Sequence, residues 1–467
     1  MLFSSIIFIF YFLPLTLLAY YVVPAEKLNI RNMILLIASL IFYSWGEPVY
    51  VFLMIYSAIF NYYMAMQITS EQQRGGTGKK NLIFTIVINL FILGFFKYFG
   101  FLMDTVNSVF NTDIHYTALA LPIGISFYTF QGLSYIFDVY RRKVKPQKSL
   151  LKFALYLSLF PQLIAGPIVK YRDVEKQLDN RKFCIKNFGN GTERFILGLG
   201  KKVLLANSFG SVHAYVLGLP DSKVSVLVYW LGIFAYTLQI YFDFSGYSDM
   251  AIGLGKMFGF DFIENFNYPY ISKTITEFWR RWHMSLSTWF KEYVYIPLGG
   301  NRVTVPRHIL NLLIVWSLTG LWHGANWNFV MWGLYYGVIL ILEKYIFGEY
   351  IEKLPDVFKH IYVMLVVMTG WVFFSITNIS KAFSFIGIML GAGKYPFADS
   401  TAFYVLRTNI VLFIIGTVCS TPYIIKWFRE LCEKHKKTGI VILFTVMLIS
   451  CAYLVYGSYN PFLYFRF

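Results

Sequence analysis

The chain carries little charge for its length. Asp, Glu, Lys and Arg make up 14% of the 467 residues, whereas hydrophobic residues make up 57% and aromatic residues 20%. Soluble domains carry about 25% charged residues, so this composition excludes a soluble globular class and indicates a polytopic integral membrane protein. The excess of 41 Lys and Arg over 24 Asp and Glu lies in loops between apolar runs, where it reflects topology. No nucleic-acid partner is therefore expected.

Cysteine is scarce, and the motifs of several enzyme classes are missing. The four cysteines, Cys184, Cys419, Cys432 and Cys451, lack CxxC or paired spacing, so neither a disulfide framework nor a zinc site is indicated. The seven histidines include no HxxxH or HExxH pair. A Walker loop and a GxSxG elbow are also absent, since Asp243–Asp249 lacks the glycine two positions before its serine. We therefore expect no bound metal and no bound cofactor.

Twelve apolar runs approach the roughly 20 residues that a helix needs to cross a bilayer. They lie at about 2–23, 33–45, 49–68, 82–103, 119–140, 203–219, 224–241, 309–323, 327–342, 361–376, 404–427 and 440–456. The first run lacks a basic leader and a cleavage site, so we expect a retained span. Basic loops, assigned to the cytoplasm, place both termini outside. These features predict an all-α polytopic helix bundle of about 11 to 12 spans, one domain over 1–467, in the cytoplasmic (inner) membrane.

The segment Phe153–Val169 departs from this alternation. It contains Pro161, Gly166 and Pro167, and it has basic residues on both flanks. A segment whose flanks both lie in the cytoplasm dips into the bilayer and returns, and such backbone is tolerated only beside protein or a water-filled cavity. We therefore predict a re-entrant loop that forms the wall of a cavity. An ordinary kinked span is the alternative.

The stretch Thr276–Phe290 has the pattern of an amphipathic helix at a membrane interface. At about 100° per residue one face gathers apolar residues and the other gathers polar ones. The apolar face comprises Phe278, Trp279, Trp282, Leu286, Trp289 and Phe290, and the polar face comprises Arg280, Ser287 and Lys291. His283 lies at the border between these faces, near the cytoplasmic side, where it can point into protein or towards water.

His323 lies in Leu321–Trp327, a segment apolar enough to sit inside a bilayer. An ionisable group at such depth usually marks a functional site. Imidazole exchanges a proton near neutral pH, so His323 is a candidate general base, with Trp322 as an aromatic wall and open space beside Gly324. Asn326, expected on the same helical face, is a candidate to orient the ring or polarise a carbonyl. A structural histidine bonded to a backbone carbonyl is the alternative.

Two aspartates, Asp243 and Asp249, lie near the end of an apolar span. They either hold a histidine or arginine through a buried ion pair or cap a helix expected over Tyr247–Phe260. The residue pattern favours the structural role, and Asp243 is kept as a candidate substrate contact.

Several motifs, in order along the chain, resemble those of bacterial members of the membrane-bound O-acyltransferase (MBOAT) family, in particular the membrane subunits of alginate and peptidoglycan O-acetylation. The matching segments are Gln162–Ile168, Tyr241–Asp249, Asn267–Tyr270, Phe278–His283, Tyr295–Arg302, Leu321–Gly324 and Tyr459–Phe462. The chain departs from the family pattern at neither histidine.

The resemblance implies a helix bundle with re-entrant segments and a central funnel, where a cytoplasmic acyl thioester meets an extracytoplasmic acceptor. It implies that His323 is the catalytic histidine and His283 the second active-site position, within a catalytic core at about 117–345. His283 or Asn326 would polarise the acyl carbonyl. The expected substrate-binding set is Asn326, Trp322, Trp279, Arg280, Arg281, Asp243 and Gln162. Its two arginines suit a phosphate-bearing donor, although lipid headgroups account for them equally well.

The partners implied are the lipid bilayer, an acetyl-CoA or acyl-carrier thioester as donor substrate, and an extracytoplasmic acyltransferase of the SGNH type that delivers the acyl group to a polysaccharide. Three alternatives remain at this point. They are D-alanyl transfer to teichoic acid, a transporter or flippase for a lipid-linked glycan with the histidines as proton relays, and a scaffold that recruits a transferase.

Overall fold

The computed structural model describes residues 1–117, 119–164, 166–181, 184–457, 460 and 463. All regular secondary structure within these ranges is helical, which confirms the all-α prediction. The chain divides into two compact units, Met1–Phe195 with Ser248–Glu264, and Ile196–Tyr247 with Asn265–Phe467. We call them unit 1 and unit 2. The single transmembrane domain stays a prediction.

The helices follow one another with short connections. The first nine are α1 (Leu13–Val22), α2 (Leu28–Ser44), α3 (Val51–Gln73), α4 (Lys79–Phe110), α5 (Ile125–Tyr140), α6 (Leu150–Ser158), α7 (Phe160–Leu163), α8 (Tyr171–Asp179) and α9 (Ile185–Gly200). The rest are α10 (Asn207–Leu217), α11 (Val226–Met257), α12 (Ile275–Arg281), α13 (Met284–Phe290), α14 (Val305–His323), α15 (Trp327–Leu342), α16 (Gly348–Lys353), α17 (Asp356–Ser375), α18 (Ile379–Met389), α19 (Ser400–Cys419), α20 (Tyr423–Lys434) and α21 (Lys436–Tyr456). Wider π-helical turns occupy Phe8–Phe12, Lys201–Ala206, Lys291–Tyr295 and Glu343–Phe347.

Seven of the described helical segments are long and apolar enough to cross a membrane, which confirms a multi-pass membrane protein. They are Val51–Gln73, Lys79–Phe110, Val226–Met257, Trp327–Lys353, Asp356–Ser375, Ser400–Cys419 and Lys436–Tyr456. Three shorter apolar helices are Phe8–Val22, Leu28–Ser44 and Ile379–Met389. The last of these, α18, was not among the predicted runs.

Several predicted runs have different bounds in the structure, and two of them are interrupted or shortened. The run at 404–427 is two helices, because α19 ends at Cys419 and Pro422, which has no N–H to donate, immediately precedes α20. The run at 119–140 becomes helical only from Ile125, after Gly124 at a φ of 76°. Left-handed backbone at Gly124 ends the preceding loop, a conformation that glycine adopts without steric cost.

The predicted re-entrant segment is a broken helix in unit 1. α6 ends at Ser158, Leu159 has a ψ of 111°, and α7 is a single turn that ends at Leu163. The backbone from Gly166 to Lys170 is not helical, and Phe160 and Ile168 are fully buried. The break confirms the irregular backbone that Pro161 predicts, whereas insertion from the cytoplasmic side stays a prediction.

Unit 1 is held together partly by polar pairs inside its apolar helices. Asn61 on α3 and Asn89 on α4 exchange two amide hydrogen bonds of 3.2 and 3.1 Å, and both side chains are buried. Side-chain hydrogen bonds of this kind fix helix contacts where lipid removes the hydrophobic driving force between helices.

In unit 2 a pair of glycines allows α14 and α15 to approach closely. A Cβ added to Gly320 would lie 2.2 Å from the carbonyl oxygen of Phe329, and a Cβ added to Gly333 would lie 2.3 Å from that of Trp316. No larger side chain fits at either position without separating the two backbones, as is common where helices cross in membranes. The crossing fixes the end of α14, which carries His323.

Candidate functional site

His323 is the last residue of α14, and its ring is enclosed by aromatic side chains of unit 2. The ring centroids of Trp322 and Trp332 lie 5.0 Å away, and that of Phe374 lies 5.2 Å away. The residue is 3% exposed. The space predicted beside Gly324 is not open, because a Cβ there would lie 2.2 Å from the ring of Phe329. The funnel stays a prediction.

The predicted amphipathic helix is interrupted at His283. α12 ends at Arg281, His283 adopts a φ of 43°, and α13 begins at Met284, so a continuous helix over Thr276–Phe290 is wrong. The six residues of the predicted apolar face are all buried, but the break divides them between α12 with its C-cap Trp282 and α13, so they do not form one helical face. Left-handed backbone is uncommon for a residue with a Cβ, and it marks a position worth inspecting for function. It turns the imidazole into unit 2, where the residue is 1% exposed.

A loop after α11 holds the helix break in place. The N–H of Asn267 donates to the carbonyl of Arg281 at 2.9 Å, and the N–H of Met284 donates to the carbonyl of Asn265 at 2.9 Å. The N–H groups at the start of α12 are bound by the buried carboxylate of Glu343, which accepts from Ile275 and Thr276 at 2.7 and 2.9 Å. A carboxylate at this end of a helix also complements the helix dipole.

The contact with Asn265 determines the tautomer of His283. Nδ1 of His283 lies 3.0 Å from Oδ1 of Asn265, and the same oxygen accepts from the Oγ and N–H of Ser285 at 2.9 and 3.3 Å. A backbone N–H can only donate, so the Asn265 atom that it meets is the carbonyl oxygen. The imidazole must therefore donate from Nδ1, which leaves the lone pair on Nε2.

The two imidazoles lie close together, although 40 positions separate them in the sequence. Their ring centroids are 6.5 Å apart, too far for a direct hydrogen bond between ring nitrogens but close enough for one small ligand group to contact both. Phe244 packs edge-on against His283 at 4.6 Å, and Trp322 lies 5.8 Å from the same ring. Burial lowers the pKa of His283, which lies outside the spanning helices, to about 3, so its imidazole is neutral near neutral pH.

The predicted tryptophans occupy different distances from the histidines. Trp322 contacts both rings. Trp279 lies one layer further away, with its ring centroid 5.5 Å from Trp332 and 4.7 Å from Tyr336. Its buried indole N–H has no hydrogen-bond partner among the described residues.

Asn326 is not on the helical face of His323, because α14 ends at His323 itself. Asn326 is the N-cap of α15, its side chain accepts from the N–H of Asn328 at 3.3 Å, and it is exposed. The shared-face prediction is wrong, and a contact with substrate stays a prediction.

The two arginines differ in their partners. Arg281 forms an ion pair with Glu277 at 2.8 Å and donates to the carbonyl of Asn267 at 3.1 Å, so it stabilises the helix break. Arg280 is exposed. Gln162 lies in unit 1, where its buried amide donates to the carbonyl of Tyr156. Donor binding by these three residues stays a prediction.

Asp243 lies in the middle of α11 and caps no helix, so the predicted helix start near Tyr247 is wrong. It forms an ion pair of 2.7 Å with Lys202, and both residues are almost fully buried. Its second oxygen accepts from the N–H of Leu463 at 2.9 Å. Asp249 pairs with Arg194 at 2.8 Å, which agrees with the ion-pair interpretation. Of the Tyr459–Phe462 motif only Asn460 is among the described residues, and its side chain accepts from Asn207 at 3.3 Å.

Sequence reasoning missed Asn265, Ser285, Trp332, Phe374 and Glu343. Asn265 is 18 positions from His283, and no local pattern connects the two. Trp332 was noted only as part of an apolar run. Among the described residues, no group of three or more His, Cys, Asp or Glu side chains is placed to hold a metal ion. A reaction without a bound metal stays a prediction.

Comparisons with known proteins agree with the motif resemblance. Residues 40–386 match the MBOAT, membrane-bound O-acyltransferase family. The chain is 41% identical over 432 residues to the "Probable alginate O-acetylase AlgI" of Azotobacter vinelandii, covering 92% of this chain and 86% of that one. It is 31% identical to the "Peptidoglycan O-acetyltransferase" of Helicobacter pylori, covering 100% of this chain and 98% of that protein. A shorter match, 30% identical over 47% of this chain, covers 58% of the "Teichoic acid D-alanyltransferase" of Bacillus subtilis.

Proposed function

This chain belongs to the membrane-bound O-acyltransferase family and is an O-acyltransferase, and from that premise we propose that it passes an acetyl group from a cytoplasmic thioester to a hydroxyl of an extracytoplasmic polysaccharide. The names of its full-length relatives support this acceptor class, since they refer to alginate and peptidoglycan. Acetyl-CoA or an acyl carrier is the donor, and the enzyme lies in the cytoplasmic (inner) membrane with its basic loops inside.

The observation that carries the proposal is the pair of buried imidazoles in one aromatic enclosure. In the proposed reaction a ring nitrogen of His323 removes the proton of the acceptor hydroxyl, and the oxygen attacks the thioester carbonyl. The tetrahedral intermediate collapses with loss of the thiolate, which takes the proton back from the imidazolium. A placed general base contributes about 10² to 10⁴ in rate, so positioning and stabilisation of the oxyanion supply the remainder.

The tautomer of His283 changes the role that the sequence suggested for it. A neutral ring protonated on Nδ1 offers only a lone pair at Nε2, so it accepts a hydrogen bond and does not polarise a carbonyl. We assign His283 to bind the acceptor hydroxyl beside His323. In this proposal the indole N–H of Trp332 polarises the acyl carbonyl. This N–H is buried without a hydrogen-bond partner in the described ranges, and the Trp332 ring contacts His323.

Transfer to a polymer requires an extracytoplasmic partner in this proposal. The described residues are helices and short connections, without a separate globular domain that would hold a polysaccharide. An SGNH-type acyltransferase is the class we expect. Its own nucleophilic hydroxyl would then be the acceptor at His323, and the partner would pass the acetyl group on to the polysaccharide.

The direct test is thioester consumption and acetyl transfer by purified variants in nanodiscs. His323→Ala and His283→Ala are each expected to lower the transfer rate by about 10² or more. His213→Gln is the matched control, because His213 is also buried in unit 2, where it bonds the carbonyl of Gly232 at 3.0 Å and packs against Tyr236. Full activity of folded His323→Ala would refute the base assignment.

The rival functions give different outcomes in the same assay. A flippase moves a labelled glycan without breaking the thioester, and a scaffold does neither. D-alanyl transfer, suggested by the shorter match to a teichoic acid enzyme, predicts consumption of a D-alanyl carrier thioester in place of acetyl-CoA.

A further inference from the structure

Unit 1 contains a cavity of about 280 Å³ that is remote in sequence from the two histidines. Its lining comes from α8 and the residues after it, from α9, and from the end of α11. The charged residues in its described lining are Arg181, Lys256 and Asp261. The volume is near the lower limit of small-molecule sites, so it suits a headgroup or a phosphate-bearing fragment.

A narrow recess continues from this cavity towards α1 and α2. The two share Arg181 and Lys256 as walls, and Arg31, Tyr20 and Cys184 line the recess. Arg31 and Arg181 are only 6% and 7% exposed. Two guanidinium groups that are close enough to repel each other are therefore buried in the lining of this recess.

Among the described residues, the hydrogen bonds of these guanidinium groups go to neutral partners. Arg31 donates to the carbonyl of Val23 from Nε and Nη2 at 3.0 and 2.7 Å. Arg181 donates to the carbonyl of Gln177 at 2.9 Å and to Oδ1 of Asn32 at 2.5 Å. A guanidinium has five N–H donors, so both groups retain donors beyond these bonds.

The positive charge here lacks a paired carboxylate. No ion pair of Arg31, Arg181 or Lys256 occurs among the described residues. Asp261 is the acidic residue in the described lining; it is exposed, and its N–H donates to Oε1 of Gln177 at 2.7 Å. Burial is the main cause that lowers the pKa of Arg181, and repulsion from Arg31 lowers it further. Buried cations normally have counter-charges, so the arrangement favours an anion from outside the chain.

The topology gives the side from which that anion arrives. The basic-residue rule assigns three segments to the cytoplasmic side: the connection after α1, the chain around α8 and the end of α11. We propose that this cavity binds the phosphate group of a cytoplasmic or inner-leaflet ligand through Arg181 and Lys256, with Arg31 behind them. The proposal does not depend on the acyl-transfer reaction.

Phosphate can come from a soluble nucleotide or from a phospholipid headgroup, and alkylation of Cys184 distinguishes them. Cys184 is exposed and lines the recess, so an occupant should slow its reaction with N-ethylmaleimide, measured by mass spectrometry with Cys451 as internal reference. Adenosine 3′,5′-bisphosphate in phosphatidylcholine nanodiscs tests the soluble source. Phosphatidylglycerol nanodiscs without nucleotide test the lipid source.

We expect one of the two probes to protect Cys184. In Lys256→Gln, the amount of that probe that halves the alkylation rate should rise about tenfold or more. Arg74→Gln, an exposed residue of another basic loop, makes the same change in net charge and should leave it within about twofold. Arg31→Gln is a second variant and should weaken protection in the same way. If Arg31→Gln does not fold, Lys256→Gln alone is sufficient for the test. Absence of protection by both probes, or equal protection in Lys256→Gln and Arg74→Gln, would overturn the proposal.

Discussion

Removal of the Asn265 side chain should separate the folding role of the helix break from its chemical role. In Asn265→Ala, three buried donors lose their shared acceptor: Nδ1–H of His283 and the Oγ and N–H of Ser285. A buried donor without a partner costs about 1–3 kcal/mol. The Ser285 hydroxyl lies 3.5 Å from Nδ1 of His283 and can compensate in part, so we expect a loss of about 2–4 kcal/mol in unfolding free energy.

Asn265→Ala should also lower the rate of acetyl transfer. Without Oδ1 of Asn265 the Nδ1–H tautomer of His283 is no longer enforced, and the ring can rotate or shift its proton to Nε2. Loss of an imidazole's tautomer and orientation lowers turnover by about 10² to 10⁴ in enzymes that depend on it. We therefore expect the turnover number to fall by at least about 10², with a smaller change in KM.

The assay is acetyl transfer from a thioester by protein in nanodiscs, with thermal unfolding measured on the same samples. Ser285→Ala is the matched control, because it removes one donor and leaves the 3.0 Å contact between Asn265 and His283. It should retain activity within about tenfold. Folded Asn265→Ala with wild-type turnover would refute the assignment of the tautomer and of His283 to the acceptor site.

Three further predictions concern pH, packing and charge. The pKa of His283 is lower in the folded state than its ordinary value of 6.5, so the unfolded state binds a proton more readily. The neutral imidazole therefore contributes its full stabilisation above pH 6.5 and less as the pH falls towards 3. His283→Gln should accordingly lose less thermal stability than wild type between about pH 7 and 4, as measured by thermal unfolding. Gly333→Ala places a Cβ 2.3 Å from a backbone oxygen and should lower both the unfolding temperature and the transfer rate, whereas Gly94→Ala, with no atom within 4 Å, should change neither appreciably. Lys202→Met leaves the buried carboxylate of Asp243 uncompensated and should cost about 3–5 kcal/mol, while adding Asp243→Leu should recover part of that loss, as measured by chemical unfolding of single and double variants.

Local pattern predicted those parts of the fold that depend on neighbours in the sequence. Burial of the six apolar residues of Thr276–Phe290 follows from the apolar pattern and is confirmed, although the break at His283 divides them between two helices. The broken backbone after α6 follows from Pro161. Helical spacing also predicted, wrongly, that Asn326 shares a helical face with His323. α14 ends at His323 with Gly324 as its C-cap, and Asn326 is already the N-cap of α15.

The parts that sequence could not predict depend on contacts between distant segments. The dipeptide Trp282-His283 contains no Gly or Pro, so nothing local signals a left-handed residue there; Asn265 and the backbone bonds of its loop impose it. The proximity of the two imidazoles likewise follows from the α14 and α15 crossing and from the break between α12 and α13. Neither histidine's own flanking residues contain that information.

The ring of aromatic side chains around His323 bears on a competing reaction. Water is itself a nucleophile towards a thioester, and a base able to activate an alcohol will also activate any water beside it. Trp322, Trp332 and Phe374 occupy the volume next to the imidazole that solvent would otherwise fill. In the proposed reaction, an acyl donor bound there would meet few hydroxyl groups other than the one presented to it, so this packing would limit hydrolysis of the thioester.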